Sequence, residues 1–147
     1  MNLARLKAQL IDDEDRIPYA YQDKLGFWTI GIGHLIDKRK GGGLSDAAID
    51  FIFNEDVTAK TKELFDRFPW MISLDDVRLN VMLNMAFQMG VEGLALFKLT
   101  LGYIQGGHYQ LAADEMLKSV WAIQTPERAK RNAAMISTGR YPDGGLI

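Results

Sequence analysis

The stretch "SLDDVRLNVMLNMAFQMG", residues 73 to 90, constrains the fold of this chain more than any other segment. Its apolar residues recur at helical spacing and form a nearly all-apolar face, with Ser73 or Asp75 as the N-cap. Other elements must cover such a helix, because it would otherwise expose a large apolar surface to water. We therefore predict a buried central helix that ends at Gly90.

The remainder of the second half is also predicted to be helical. Two helices are expected in "GLALFKLTLGYIQGG" and "YQLAADEMLKSVWA". A last one is expected in "TPERAKRNAAMISTG", where Thr125 precedes a proline at the first helical position. Upstream, "LSDAAID" begins a helix with Ser45 as N-cap. Apolar spacing continues this helix for about twenty residues, up to Pro69. A helix of that length could join two lobes.

The first forty residues follow a different pattern. Leucines at helical spacing predict a short amphipathic first helix, which must end before Pro18. Alternating aromatic and branched residues on both sides of the turn "QDKLG" then predict a hairpin, alone or with a third short strand, that includes "FWTIGIGH". Gly31 and Gly33 indicate bends, or a place where a ligand or the backbone comes close. The fold class is therefore α+β, with a small sheet early and helices after it.

Composition narrows the class of protein. The chain has 147 residues, no cysteine and a net charge of -2. The length suits one compact domain or two small lobes that share one core, and the absence of cysteine excludes disulfide and thiolate chemistry. The negative charge argues against nucleic-acid binding, although "TPERAKR" is a local basic cluster that could be read as a nucleic-acid patch. We expect neither a signal peptide nor a membrane span.

Metal and cofactor sites are not predicted. A calcium loop that starts at Asp13 fails at its third ligand position, which is Ile17. His34 and His108 are the only histidines and no cysteine accompanies them, so we expect no zinc site and interpret His34 as a structural hydrogen-bonding residue. The segment "GIGHLI" lacks the third glycine of a dinucleotide motif. We expect no cofactor.

Paired carboxylates remain as candidate chemistry in "IDDEDRIPYAYQD", residues 11 to 23. Glycoside hydrolysis needs one protonated carboxyl to act as an acid and one ionised carboxylate to activate water or attack the sugar. Glu14 lies at a helix end and Asp23 in a hairpin turn, so different elements can hold them across a cleft. Thr29 on the return strand offers a hydroxyl that could hold a water. The other acids of the cluster are expected to be solvated.

Three blocks in order resemble the phage lysozymes of the T-even type, which are muramidases that cut peptidoglycan glycan strands. They are "DE-x8-D-x5-TIGIGH", "NMAFQMG" and "KSVWAIQTPERAKR". The resemblance implies a sheet lobe over about residues 13–45 and a linking helix over about 46–67. A helical lobe would cover about 68–147, packed with the first helix, residues 1–12. The resemblance thins at "DKRKGGG" and "RFPWMISLDD".

The resemblance also implies site residues. Glu14 matches the proton donor, Asp23 the second catalytic carboxylate and Thr29 the residue that helps to hold the attacking water. The implied saccharide-binding set is Leu35, Phe87, Thr100, Glu115 and Gln124. The implied supporting set is Arg128, which would pair with Glu14, and an ion pair between His34 and Asp56. Glu115 and Val120 depart from the family pattern, in which an amide and a basic residue are common.

The implied function is inverting hydrolysis of the β-1,4 bond between N-acetylmuramic acid and N-acetylglucosamine, by a monomeric endolysin that causes host cell lysis. It would accumulate in the host cytoplasm and reach the periplasmic wall after a holin-type partner permeabilises the membrane. Two alternatives stay open at this point. One is a non-catalytic module that binds glycan, and the other is a lytic transglycosylase, which uses a single acid.

Overall fold

The computed structural model of the protein describes residues 2–36 and 43–142, so six residues of the loop "DKRKGGG" lie outside it. The predicted α+β class and lysozyme-like architecture are confirmed. The described residues form a three-stranded antiparallel sheet in the order β1-β2-β3, and seven α-helices. The strands are β1 Ile17–Gln22, β2 Trp28–Gly31 and β3 His34–Leu35. The helices are α1 Leu3–Glu14, α2 Asp46–Arg67, α3 Asp76–Ala95, α4 Lys98–Gln105, α5 Tyr109–Met116, α6 Val120–Gln124 and α7 Pro126–Thr138, with a 3-10 helix at Pro69–Ser73.

The chain divides into two compact units, one up to Phe53 and one from Asn54 onward. The predicted assignment of the first helix to the helical lobe stays a prediction. Among the described residues, no helix combines the length and apolarity that a membrane crossing requires.

The first unit contains α1 and the sheet. The side chain of Asn2 caps α1 by accepting a hydrogen bond from the Arg5 amide at 3.1 Å. At the other end, the chain leaves the helix at Asp15, which has φ 62° and ψ 170°. A register shift interrupts the pairing of β1 with β2 between Ile17 and Tyr21. The predicted hairpin and third strand are thus both present.

The second unit contains the hydrophobic core. The central helix α3 is capped by Asp75, one of the two predicted N-caps, whose side chain accepts from the Arg78 amide at 3.0 Å. Helical geometry breaks at Gly90, with φ 76° and ψ 163°, as its sequence position predicts, and a short helical turn follows. Val81, Met82 and Met85 of α3 are fully buried.

Two predicted helix boundaries are wrong. The segment "YQLAADEMLKSVWA" forms two helices because Ser119 interrupts it: its hydroxyl donates to the Met116 carbonyl at 2.7 Å and accepts from the Ala122 amide at 3.1 Å. That side chain therefore ends α5 and caps α6. The segment "GLALFKLTLGYIQGG" is also divided, because its first residues belong to the end of α3 and α4 begins only at Lys98.

Candidate active site

Glu14 is the last residue of α1, and its side chain lies against the turn between β2 and β3. The Asp15 amide donates to the Ile11 carbonyl at 2.9 Å and closes the final helical turn. A methyl group placed on Gly33 would lie 3.0 Å from Cγ, Cδ and Oε2 of Glu14. The predicted acid is therefore anchored at a helix end, and its carboxyl group rests on a glycine backbone.

Asp23 occupies the β1–β2 turn and is held by backbone donors. Its Oδ1 accepts hydrogen bonds from the amides of Leu25 and Phe27, each at 2.8 Å. Its own amide donates to the Phe27 carbonyl at 2.9 Å, and Gly26 supplies the positive φ of 84° that the turn needs. Hydrogen bonds to one carboxylate oxygen fix the group in place, so Oδ2 can be directed at a water molecule.

Thr29 lies on β2 and is 6% exposed. Its hydroxyl donates to the Phe27 carbonyl at 3.4 Å, which leaves oxygen lone pairs that can accept a hydrogen bond from water. The Phe27 backbone thus contacts both predicted residues: its amide donates to Asp23 and its carbonyl accepts from Thr29. Sequence analysis did not identify this link, because a backbone contact has no signature in residue type.

The third strand brings one more predicted residue to the same face of the sheet. Leu35 pairs with Thr29, and Thr29 pairs with Tyr21, so these three residues form one row across the sheet. His34 pairs with Ile30 on the neighbouring row. The first unit therefore contains Glu14, Asp23 and Thr29, with Leu35 beside Thr29. The predicted pairing of His34 with Asp56 stays a prediction, since Asp56 belongs to the second unit.

Three of the predicted saccharide-binding residues line one pocket of about 540 Å³ between α4, α5 and α6: Thr100, Glu115 and Gln124. This volume lies within the range of small-molecule sites. Phe97 and Trp121 also line the pocket, and their rings pack edge to face with centroids 6.1 Å apart. The sequence-based set omitted both aromatic residues, whose spacing had indicated only a helix.

Two of the three charged residues that line this pocket, Glu115 and Lys118, form a pair, and the third is Lys98. Lys118 Nζ donates to Glu115 Oε2 at 2.9 Å, and this hydrogen bond raises the pKa of the lysine. Glu115 stands where the resembling family commonly has an amide. The carboxylate is therefore not an isolated charge in this chain, because a neighbouring ammonium group on the same pocket wall balances it.

Arg128 and Phe87 lie elsewhere in the second unit. Arg128 donates from Nε to Asn84 Oδ1 at 2.8 Å and from Nη2 to the Asn84 carbonyl at 3.0 Å. The buried Asn132 also donates to Asn84 Oδ1, at 3.2 Å. Next to Phe87 on α3, Gln88 accepts from the Trp121 ring nitrogen at 2.9 Å. Sequence analysis missed Asn84 as the residue that orients Arg128. The pairing of Arg128 with Glu14 stays a prediction.

The described residues contain no group of three or more histidine, cysteine or acidic side chains arranged to hold a metal ion. The groups available for chemistry in the first unit are one carboxyl group at a helix end, beside Gly33, and one carboxylate fixed by backbone amides, with a hydroxyl linked to the second through Phe27. This fold and these groups define a lysozyme-like glycosidase.

Comparison with known proteins agrees with this class. Residues 14–133 match the phage lysozyme family, and the chain belongs to that family. It is 30% identical to "Probable T4-type lysozyme 1" of Dictyostelium discoideum over 93% of this chain and 96% of that protein. It is 28% identical to "Probable T4-type lysozyme 2" of the same organism, with the same coverage. It is also 28% identical to "Pre-baseplate central spike protein Gp5" of Enterobacteria phage T4, over 86% of this chain but only 26% of the spike protein.

Proposed function

We propose that this protein hydrolyses the β-1,4 bond between N-acetylmuramic acid and N-acetylglucosamine in peptidoglycan. The observation that carries the proposal is the link through Phe27. One backbone residue orients both the Asp23 carboxylate and the Thr29 hydroxyl, while Glu14 lies in the same unit. The names of the relatives, T4-type lysozymes, support the same substrate class.

In the proposed reaction, Glu14 donates its proton to the glycosidic oxygen as the bond to the anomeric carbon breaks. The Asp23 carboxylate accepts a proton from a water molecule, and the Thr29 hydroxyl helps to hold that water. The water then attacks the anomeric carbon from the face opposite the leaving group, so the configuration inverts. The fixed orientation of Asp23 suits a base that must hold a small nucleophile in one position.

The residues that we propose for saccharide binding are Leu35 and Phe87, together with Thr100, Glu115 and Gln124 of the pocket. Phe97 and Trp121 supply apolar area of the kind that sugar rings pack against. Arg128 would pair with Glu14, as the family resemblance implies. These contacts belong to the proposal, as does the monomeric state.

The biological role that we propose is that of an endolysin, which accumulates in the host cytoplasm and lyses the host cell. A membrane-permeabilising partner of the holin type would release it to the periplasmic wall. Expression of the protein in bacteria tests this role: we expect cells to lyse only when a pore-forming membrane protein is co-expressed. Lysis without such a partner would contradict the proposed route of release.

The same pocket favours a second candidate, a module that binds glycan without cleaving it. Its aromatic and polar lining could hold a saccharide whether or not the first unit reacts. Binding of a chitooligosaccharide that remains intact after long incubation would support this candidate. Release of an anhydro sugar, detected by product mass, would instead support a lytic transglycosylase.

The principal experiment compares the parent with Glu14→Gln by the loss of turbidity of outer-membrane-permeabilised Gram-negative cells. Glutamine keeps the shape of the side chain but cannot donate the proton, so we expect activity to fall by about 10²–10⁴-fold. Asp13→Asn is the matched control, because it removes a neighbouring acid on the same helix end, and it should keep the activity of the parent. Normal clearing by Glu14→Gln would contradict the assignment.

Stereochemistry is tested separately. NMR analysis of the product anomers immediately after cleavage of a soluble glycan should give the inverted configuration. Retention would exclude the water-attack mechanism and would make Asp23 a nucleophile, while the lysozyme reaction itself would stand.

A further inference from the structure

We infer that Gly33 is a positioning residue for the catalytic acid: its bare backbone forms the surface on which the Glu14 carboxyl group rests. The inference depends on the proposed function, because it assigns to Gly33 a part in the reaction of Glu14. Gly33 has no ionisable or nucleophilic group. It would act only because the absence of a Cβ atom leaves room for the Glu14 carboxyl group.

The contact is specific to one of two similar glycines. Gly31 and Gly33 both have left-handed backbone conformations, with φ of 70° and 62°. That conformation alone favours glycine at both positions, since other residues incur a steric cost there. A methyl group on Gly31 would meet nothing within 4 Å, whereas one on Gly33 would lie 3.0 Å from three side-chain atoms of Glu14. Gly33 alone therefore has a second reason to lack a side chain.

Glu14 is constrained at both ends of its side chain. Its Cα belongs to the last residue of α1, where the bond from the Asp15 amide to the Ile11 carbonyl closes the helix. Its Cδ and Oε2 lie against the Gly33 backbone. A side chain held at its root and touching a wall at its tip has fewer rotamers available than a free glutamate. The turn between β2 and β3 thus limits where the proton donor can point.

A side chain at residue 33 would displace the end of the Glu14 side chain more readily than it would displace the backbone of the turn. The atoms that it meets belong to the flexible end of Glu14, which can move by a few tenths of an ångström, whereas the turn is held by the pairing of β2 with β3. Misplacement of a reacting group by about 1 Å can cost about 10²-fold in rate, so we expect about a tenfold loss from this smaller shift. The loss should fall on kcat, because Glu14 acts on the glycosidic oxygen during bond breaking.

The test compares Gly33→Ala with Gly31→Ala, two variants that carry the same added methyl group and similar backbone strain. On a soluble peptidoglycan fragment, we expect Gly33→Ala to lower kcat about tenfold with KM nearly unchanged. Gly31→Ala should stay within about threefold of the parent in both constants. The alkaline limb of the pH–rate profile, which reports loss of the proton donor, should move in Gly33→Ala only.

A second readout does not depend on activity. The carboxyl carbon resonance of Glu14, assigned in labelled protein by its disappearance in Glu14→Gln, should shift in Gly33→Ala and stay in place in Gly31→Ala. If the alanine variants fail to fold, Gly33→Asn and Gly31→Asn replace them. Asparagine tolerates positive φ but still carries a Cβ atom at the same place.

The outcomes separate the two proposals. An active parent with equal kcat, pH profile and Glu14 resonance in both glycine variants would overturn the role of Gly33 and leave the lysozyme reaction intact. A folded parent with no lytic activity would overturn both, even if the resonance shifted. Selective loss of kcat together with the selective shift would establish Gly33 as the residue that positions the acid.

Discussion

The two units of this protein are specified by different physical means. In the second unit, from Asn54 onward, the buried apolar residues of the described chain form one cluster from Leu64 to Ile136. In the first unit, the positions of the candidate catalytic groups depend on backbone geometry: three left-handed glycines, the positive φ of Asp15 and the amides that hold Asp23. The geometry of the candidate site thus comes from turns and hydrogen bonds, and the core comes from packing.

This difference between the two units predicts whether a substitution should affect mainly catalysis or mainly stability. Changes to Asp23, or to the glycine that contacts Glu14, should alter catalysis strongly and global stability weakly, because few buried contacts are involved. Changes to the core of the second unit should do the reverse. Substitutions in both units test whether effects on catalysis and effects on stability are separate, and the largest expected effect comes first.

The largest expected effect is on catalysis, at Asp23. Asp23→Asn keeps an oxygen that can accept the amides of Leu25 and Phe27 but removes the negative charge. Because the proposed base is then lost while the turn survives, kcat should fall by about 10²-fold or more with little change in the melting temperature. Asp23→Ala is the comparison: it should lose activity and also lower the melting temperature. Full activity in Asp23→Asn would contradict the role of Asp23 as a base.

The next effect is on stability, at Met85. This side chain of α3 is 0% exposed, and Met85→Ala would leave a cavity in the core. We expect the free energy of unfolding, measured by denaturant titration, to fall by about 2–5 kcal/mol. Below the melting temperature, kcat should be close to that of the parent. A large loss of kcat in fully folded protein would break the proposed separation of the two units.

A smaller loss of stability is expected at Gly139, the left-handed cap of α7. A methyl group there would lie 2.8 Å from Nη1 of Arg78. Arg78 stacks on the Tyr109 ring at 3.5 Å, and its Nε donates to the Ile136 carbonyl at 2.9 Å, so it joins three helices.

Gly107→Ala is the matched control for Gly139→Ala, because Gly107 has a similar φ of 74° but open space around the added methyl group. Both substitutions incur the strain of a left-handed alanine. Gly139→Ala should cost about 1–2 kcal/mol more, because it also disturbs hydrogen bonds of a charged group. Equal losses in thermal denaturation would mean that Arg78 moves aside without cost.

A gain in stability is expected at Asp15. Its φ of 62° and ψ of 170° lie in a region that only glycine adopts without strain. Asp15→Gly should therefore raise the free energy of unfolding by about 1 kcal/mol, after allowance for the greater flexibility of glycine in the unfolded chain. Asp13→Gly, at the second-to-last residue of α1, should instead lower the free energy of unfolding slightly, because glycine is a poorer helix former. Activity of Asp15→Gly should match that of the parent if the α1 end keeps its geometry.

The smallest effect is the pH dependence of stability that arises from Asp75. Burial raises the pKa of this carboxyl group, but the hydrogen bonds from Arg78 and its positive charge lower it by more, so the pKa lies below the usual 3.8. The unfolded chain therefore takes up the proton first as pH falls. The stabilisation is present in full above the unfolded pKa and is lost as pH falls through the folded pKa.

We therefore expect the parent to lose stability more steeply below about pH 4 than Asp75→Asn does, in thermal melts at a series of pH values. Parallel curves for the two proteins would show that the Arg78 contacts do not depend on the Asp75 charge.

Much of the fold could be predicted because local signals and tertiary packing agree. Ser45 and the proline after α2 bound the long helix, and Gly90 breaks α3 where its lack of a side chain permits a positive φ. The division at Ser119 was not predicted, since its hydroxyl bonds to the backbone of Met116 and Ala122, and such bonds depend on the local backbone geometry rather than on the apolar spacing.

The residues of the candidate site were predicted from the sequence, and their roles stay a prediction. The order and spacing of Glu14, Asp23 and Thr29 suggested the chemistry through resemblance to a family, whereas the groups that hold these side chains were not predicted. Gly33 was marked only as a place where a ligand or the backbone comes close. Asn84, which accepts from both Arg128 and Asn132, had no signal at all, because its partners are 44 and 48 residues away.

The sequence by itself determined the periodicity of the helices, the turns of the hairpin and the identity of the groups able to do chemistry, because these depend on residue type and near-neighbour spacing. Only the tertiary structure decided which groups touch: that Glu14 rests on Gly33, and that three predicted saccharide-binding residues share a pocket with Phe97 and Trp121. Such contacts join residues far apart in the chain, and their distances follow from packing rather than from any local preference.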